Sequence, residues 1–149
     1  MNTKHVPDLE LCQELDRLCK EKGIVVPTTE YYWVGDNMEN MSLVSVENTY
    51  KISGSPFDGD MQQGEYEFCI PAPLVSEQGE FLPDELADEH QDLPYFLTAE
   101  KRADPDYWIV YYNGARGELS GTQFEGNTEA NARQKMINYL IAEGIITKL

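Results

Sequence analysis

Apolar residues recur at helical spacing at Leu11, Cys12, Leu15, Leu18 and Cys19, with Glu10, Gln13, Glu14, Asp16, Arg17 and Lys20 on the other face. That period predicts an amphipathic helix over 8–22. Asp8 suits its start, because a carboxylate accepts the unpaired amides of the first turn. Gly23 suits its end, where the left-handed conformation is needed. A second helical run, Ala132, Met136, Ile137, Leu140 and Ile141, lies near the C-terminal end. Thr128 or Asn127 is its predicted cap, Glu129 favours the positive helix start, and Gly144 stops it. Ile145 and Ile146 are then placed to fold back onto the core.

Between these helices the pattern turns to β. Tyr31-Tyr32-Trp33-Val34 and 43–46 read as strands around a polar turn at 35–40, and 66–70 as a third strand that should stop at Pro71. The segment 53–64 gathers Ser, Gly, Pro and Asp and reads as a loop. A short helix over 74–82, broken by Gly79 and closed by Pro83, leads into an acidic connector at 84–94. Tyr95-Phe96-Leu97 and 107–112 form a predicted antiparallel hairpin around Asp104-Pro105-Asp106, since proline's fixed φ suits a type I turn. A further turn at 114–121 and a short strand at 122–124 follow. Alternation puts Trp108, Val110 and Tyr112 on one face of the 107–112 strand, with Tyr107, Ile109 and Tyr111 on a semi-exposed face.

The expected fold is therefore α+β: an antiparallel sheet of about five or six strands packed against the N- and C-terminal helices, in one domain over 1–149. Its predicted core is Leu11, Cys12, Leu15, Leu18, Trp33, Val44, Phe68, Ile70, Trp108, Val110, Met136, Ile137, Leu140 and Ile141. At 149 residues and 41% hydrophobic content the chain has the material for such a core. No apolar stretch approaches the ~20 residues that cross a bilayer, and Asp8, Glu10, Glu14 and Asp16 interrupt any signal-peptide centre. Three cysteines are too few, and odd in number, for a disulfide framework. A cytoplasmic protein is the expectation.

Charge changes the picture most. Residues 23–100 carry sixteen acidic groups and one basic one, Lys51, so that −15 of the formal net charge of −16 lies there. Such a field repels nucleic acid and anionic membranes and attracts basic partners. The aromatic residues 31–33, 107, 108, 111 and 112 lack the positive groove that a stacking platform for single strands needs. A protein-binding surface, basic or neutral on the partner's side, is the better expectation. Its candidate residues are Asp84, Glu85, Asp88, Glu89 and Asp92 in the acidic connector, with Tyr107 and Tyr111 on the aromatic face. A nucleic-acid mimic is the alternative, requiring carboxylates spaced like phosphates, about one charge per 1.7 Å of duplex. The plainest explanation is a solubilising surface.

Catalytic and metal motifs fare less well. Asp58-Gly59-Asp60 and Glu65 suggest calcium, but an EF-hand would place Gln62, Gln63 and Cys69 where it needs a ligand, glycine and glutamate. Asp84, Glu85, Asp88, Glu89 and His90 offer metal-ligand types, yet His5 is the only other histidine and no cysteine pair has zinc spacing. No serine lies in a Gly-x-Ser-x-Gly elbow. An enzyme would have to use a carboxylate pair or Cys69 with His90, and the apolar neighbours of Cys69 favour an inert thiol. Gly114, Gly117 and Gly121 match no phosphate loop. The expectation is a non-catalytic module without cofactor or metal.

The order of helix, aromatic strand, Ile70-Pro71-Ala72-Pro73, Phe81-Leu82-Pro83, hairpin and Asn127-Thr128-Glu129-Ala130 before a closing helix resembles small proteins of unassigned activity encoded by bacteria and their prophages. The resemblance implies an origin in a mobile element and transfers no active-site residue, because its shared features are caps, prolines and core positions. Over 95–144 the chain also resembles antitoxins of the HicB type. Their cap reads Gly-Asp-Thr-x-x-Glu-Ala; here it is Gly126-Asn127-Thr128-Glu129-Ala130, shifted and incomplete. That likeness implies an antitoxin-like regulator.

Overall fold

A computed structural model describes residues 5–45, 67–87, 94–103, 106–114 and 117–149. The element order is α1 (Leu9–Lys22), β1 (Tyr31–Gly35), β2 (Ser42–Ser45), β3 (Phe68–Ala72), α2 (Val75–Phe81), β4 (Glu85–Leu86), β5 (Tyr95–Arg102), β6 (Tyr107–Gly114), β7 (Gly117–Gly126) and α3 (Glu129–Ala142). The class is α+β, with every strand pair antiparallel. The strands divide into a three-stranded sheet, β2-β1-β3, and a four-stranded sheet, β4-β5-β6-β7. The predicted loop at 53–64, the calcium candidates Asp58, Asp60 and Glu65, and Val46 lie outside the described residues.

Both long helices end as their glycines dictate. Gly23 (φ 69°) follows α1, with Gly23 N–H donating to Lys20 O and Ile24 N–H to Cys19 O. Gly144 (φ 75°) follows α3, with the same pair of bonds from Gly144 to Ile141 and from Ile145 to Leu140. These paired bonds satisfy carbonyls that a helix end leaves open, in a turn only a residue tolerant of positive φ adopts cheaply. Ile146 is buried behind the α3 turn, whereas Ile145 stays exposed. At the other end of α3, Thr128 Oγ1 accepts the Asn131 N–H at 3.1 Å, so Thr128 and not Asn127 is the cap.

Four local expectations are corrected. Asp8 stands at the N-cap of α1, but its side chain makes no cap bond; it accepts from Asn131 Nδ2 at 2.9 Å, and Asn131 Oδ1 accepts the Asp8 N–H at 2.8 Å. The partner across the fold offers two bonds where the helix end offers one. β3 runs through Pro71 to Ala72. It lies at the edge of its sheet among the described strands, where half of a strand's N–H groups face away from the ladder and proline is tolerated. The turn expected at 114–121 is far tighter: β6 reaches Gly114 and β7 resumes at Gly117, with a bulge between Tyr111 and Asn113. Glu85 and Leu86, expected in a connector, pair with Phe96 and Tyr95.

Two apolar clusters hold the elements. The larger joins Leu15, Leu18 and Cys19 of α1, Phe81 of α2, Val110 and Tyr112 of β6, and Met136, Ile137, Leu140 and Ile141 of α3. The smaller joins Val6, Cys12, Ile70 and Ala72, with Trp33 and Leu43 packed against it. α1 serves both, Cys12 facing the three-stranded sheet while Leu15 and Leu18 face α3. Each fully buried leucine or isoleucine side chain contributes about 1.5–3 kcal/mol of transfer free energy. Of the predicted core, Leu11, Trp33, Val44, Phe68 and Trp108 are only half-buried; the other nine are buried. α3 packs on β6 and β7 on one side and on α1 and α2 on the other, so it is buried nearly all round. Among the described residues no helix is long and apolar enough to cross a membrane.

Candidate functional site

β6 runs between β5 and β7, and its tyrosines differ in exposure. Ile109 is 0% exposed and Tyr111 only 7%. Tyr111 lies opposite Thr98 of β5 and Gln123 of β7, and its hydroxyl donates to Glu100. The expected semi-exposed face of Tyr107, Ile109 and Tyr111 is thus corrected: Tyr111 cannot present itself to a partner. Alternation assigns side chains to faces but does not say which faces are covered, and here Ile109 and Tyr111 are buried like Val110 and Tyr112 on the opposite face. Tyr107, at the end of the strand, remains half-buried and lines a cleft.

That cleft, of about 360 Å³, forms where four segments meet. The β5–β6 hairpin contributes Lys101, Asp106, Tyr107 and Trp108; the first turn of α3 contributes Thr128 and Glu129. Val75 enters from the start of α2, and His5 from the chain ahead of α1. His5 is brought there by the reciprocal Asp8–Asn131 bonds, which fasten residues 123 positions apart. Its carboxylates are already engaged to different degrees. Glu129 accepts from Arg133 at 2.8 Å in a mostly buried pair, whereas Asp106 is 73% exposed and Lys101 only reaches it at 4.0 Å. Arg102, next to Lys101, is held above its ordinary value by Tyr107 and then by Glu100.

The acidic candidates lie elsewhere. Asp84 and Glu85 are exposed, and the Asp84 carbonyl accepts the Leu97 N–H at 2.9 Å. Asp88, Glu89, His90 and Asp92 lie outside the described residues. Register separates the two halves of the expected binding set. Glu85 sits opposite Phe96, which sits opposite Asn113, whereas Tyr107 sits opposite Arg102. Six residues of strand at about 3.3 Å each place the acidic pair and Tyr107 some 20 Å apart, at opposite ends of the sheet.

The distribution of cations sharpens this. Among the described residues Arg17 bonds Glu14 and Glu21, Lys20 bonds Asp16, Arg102 bonds Glu100, and Arg133 bonds Glu129. Lys22 donates to the Ala142 carbonyl at the end of α3, and Lys135 to the Glu125 carbonyl. Asp84 and Glu85 take part in no ion pair among the described residues.

No described thiol is poised for nucleophilic chemistry. Burial pushes Cys12 far above the usual thiol range, an effect only partly offset by its contact with Trp33. Burial, with the Asp16 carboxylate adding, pushes Cys19 and Cys69 up to about 11. At pH 8 a thiol of that acidity is ionised to the order of one part in a thousand, against a tenth or more for a free cysteine. Alkylation of the native protein by iodoacetamide at pH 8 is therefore expected to be about a hundredfold slower than after unfolding in urea, read by mass spectrometry. A native rate matching the unfolded one would show an activated thiolate. Among the described residues no group of three or more His, Cys, Asp and Glu could hold a metal ion.

Sequence reasoning missed a second polar feature in the interior. Gln78 Nε2 donates to Gln134 Oε1 (3.1 Å) and to the Ala130 carbonyl (3.0 Å); Gln134 Nε2 donates to Asn138 Oδ1 (2.9 Å); Asn138 Nδ2 donates to the Leu11 carbonyl (3.1 Å). This amide chain ties α2, α3 and α1 together and ends on Gln78 Oε1, which has no partner among the described residues. Its signal in the sequence is Gln134 and Asn138, amides one helical turn apart and adjacent to the apolar positions Met136, Ile137 and Ile141 of the same helix. In comparison with known proteins, no family model matches the chain, and neither a curated protein nor a solved structure shows significant similarity to it.

Proposed function

We propose that residues 1–149 act as one domain, a cytoplasmic, non-catalytic protein-interaction module whose acidic surface docks a basic protein. One observation carries the reading: Arg17, Lys20, Lys22, Arg102, Arg133 and Lys135 are bonded to carboxylates and carbonyls within the fold, while Asp84 and Glu85 stand exposed with no ion pair among the described residues. A formal −15 over residues 23–100 adds to their local field. Surface carboxylates already paired at home have little to offer a partner, whereas unpaired ones steer and orient a positive surface. The resemblance to prophage-encoded proteins suits a small protein that acts by occupying another.

The test is affinity capture from the source cell at low and high salt, followed by titration of the captured protein. Reversing both Asp84→Lys and Glu85→Lys is expected to weaken binding at low salt by about five- to thirtyfold, the equivalent of about 1–2 kcal/mol. Binding of the parent chain should itself fall steeply as salt shortens the reach of surface charge to a few ångströms. A captured partner that holds equally well at high ionic strength and to the reversed variant would remove the acidic surface from the interaction.

A further inference from the structure

Resting on that reading of a basic partner, we infer that the cleft between the β5–β6 hairpin and the start of α3 receives an arginine side chain of the partner, its guanidinium stacked on Trp108 and paired with Asp106. Trp108 and Tyr107 are neighbours on a strand, so their side chains leave it on opposite faces. Both nevertheless line the cleft, which places it at the start of β6 with two aromatic residues in its lining. A planar cation is the group such walls hold best, because the face of an indole or phenol ring is the negative part of its quadrupole. About 360 Å³ lies at the small end of the range that ligand sites occupy, enough for one side chain and its water.

The charges around the cleft rank its possible guests. Glu129 is already neutralised by Arg133, and Thr128 Oγ1 already accepts a backbone N–H of the helix start. Among the described residues Asp106 is the lining carboxylate left, and Lys101 marks it: the ammonium stands at 4.0 Å, with 58% of its side chain exposed, as a loosely held internal counter-ion. The positive end of α3 opposes a cation, by about two- to fivefold in binding. Stacking on an indole contributes about two- to thirtyfold in the other direction, and the overall charge of −16 favours the cation again. The balance falls to a guanidinium, and Lys101 acts as its competitor.

The experiment follows the indole N–H resonance of Trp108 in the full chain by two-dimensional NMR, assigned with Trp33→Phe. The probes are N-acetyl-arginine amide and, as an anionic counterpart, N-acetyl-glutamate amide. The arginine probe is expected to shift Trp108 with a millimolar Kd. Asp106→Asn should weaken it about threefold to fivefold, and Lys101→Ala should tighten it about twofold to threefold, both being exposed positions whose replacement leaves the fold intact. Tightening on loss of a cation is a result that a merely structural Lys101 would not produce. Preference for the glutamate probe, or a Trp108 signal that stays still across the millimolar range, would overturn the assignment. If Trp108 stays still while Asp84→Lys and Glu85→Lys abolish capture, the cleft falls and the acidic docking surface stands.

Discussion

Gln134→Leu is expected to lower the stability of the protein by about 2–4 kcal/mol, although it replaces a polar residue with an apolar one of similar size in the middle of an apolar core. Gln134 is 0% exposed and sits in the centre of the amide chain. Its loss leaves Asn138 Oδ1 without a donor and removes one of the two acceptors of Gln78 Nε2. A buried group left unpaired costs about 1–3 kcal/mol, so two such losses exceed whatever the leucine gains by burial. Urea unfolding should show a lower midpoint with an unchanged slope, since the surface exposed on unfolding is the same. Gln78 provides the internal control. Gln78→Leu alone strands Gln134 Oε1 and takes one bond from the Ala130 carbonyl, but combined with Gln134→Leu the stranded side-chain atom is Asn138 Oδ1 alone. The double variant is therefore expected to lose less than the sum of the singles, by roughly 1 kcal/mol or more. Strict additivity would mean that the amides are not energetically linked.

Gly126→Ala is expected to be nearly as damaging, by about 2–3 kcal/mol, for a steric reason. A Cβ at this position would stand 2.6 Å from the Ala132 amide nitrogen, 3.0 Å from the Asn131 Cβ and 3.0 Å from the Thr128 carbonyl. These atoms belong to the first turn of α3, where Ala132 N–H donates to Thr128 O and Asn131 is fastened to Asp8. None is the far end of a flexible side chain, so the helix start itself must move, at the cost typical of overpacking. The same movement would open the cleft that Thr128 and Glu129 line. Thermal unfolding should report the destabilisation. Gly79→Ala supplies the contrast: nothing lies within 4 Å of a Cβ there, and alanine is the better helix former, so a small gain is expected. Similar behaviour of the two variants would place the helix start elsewhere.

Much of this fold can be read from local signals. The period of Leu11, Cys12, Leu15, Leu18 and Cys19 locates α1, and Thr128 with Gly144 brackets α3, because caps and stops depend on residues within one turn. The hairpin of β5 and β6 is equally local. Where the sequence reading erred, a distant partner outbid a nearby one. Asp8 abandons the cap for Asn131, and Pro71 stays within a strand because that strand is an edge. Tyr111 is buried beside Thr98 and Gln123 with its hydroxyl on Glu100, and β7, which supplies Gln123, is longer than its short apolar signal suggested. Of the candidate site, the charge of the middle segment was legible and its geometry was not. Register alone places Glu85 and Tyr107 at opposite ends of the sheet.

By itself the sequence determined the class of fold, the two long helices and their ends, and the uneven distribution of charge. Periodicity, capping and composition act over a few residues and need no knowledge of what lies across the core. Only the tertiary structure decided which groups meet: Asn138 with the Leu11 carbonyl 127 residues away, Gln78 with Gln134, and Asp8 with Asn131. The physical reason is that a buried amide or carboxylate has several possible partners of similar strength. Packing of the helices on the sheet selects among them, and that selection is a property of the whole chain.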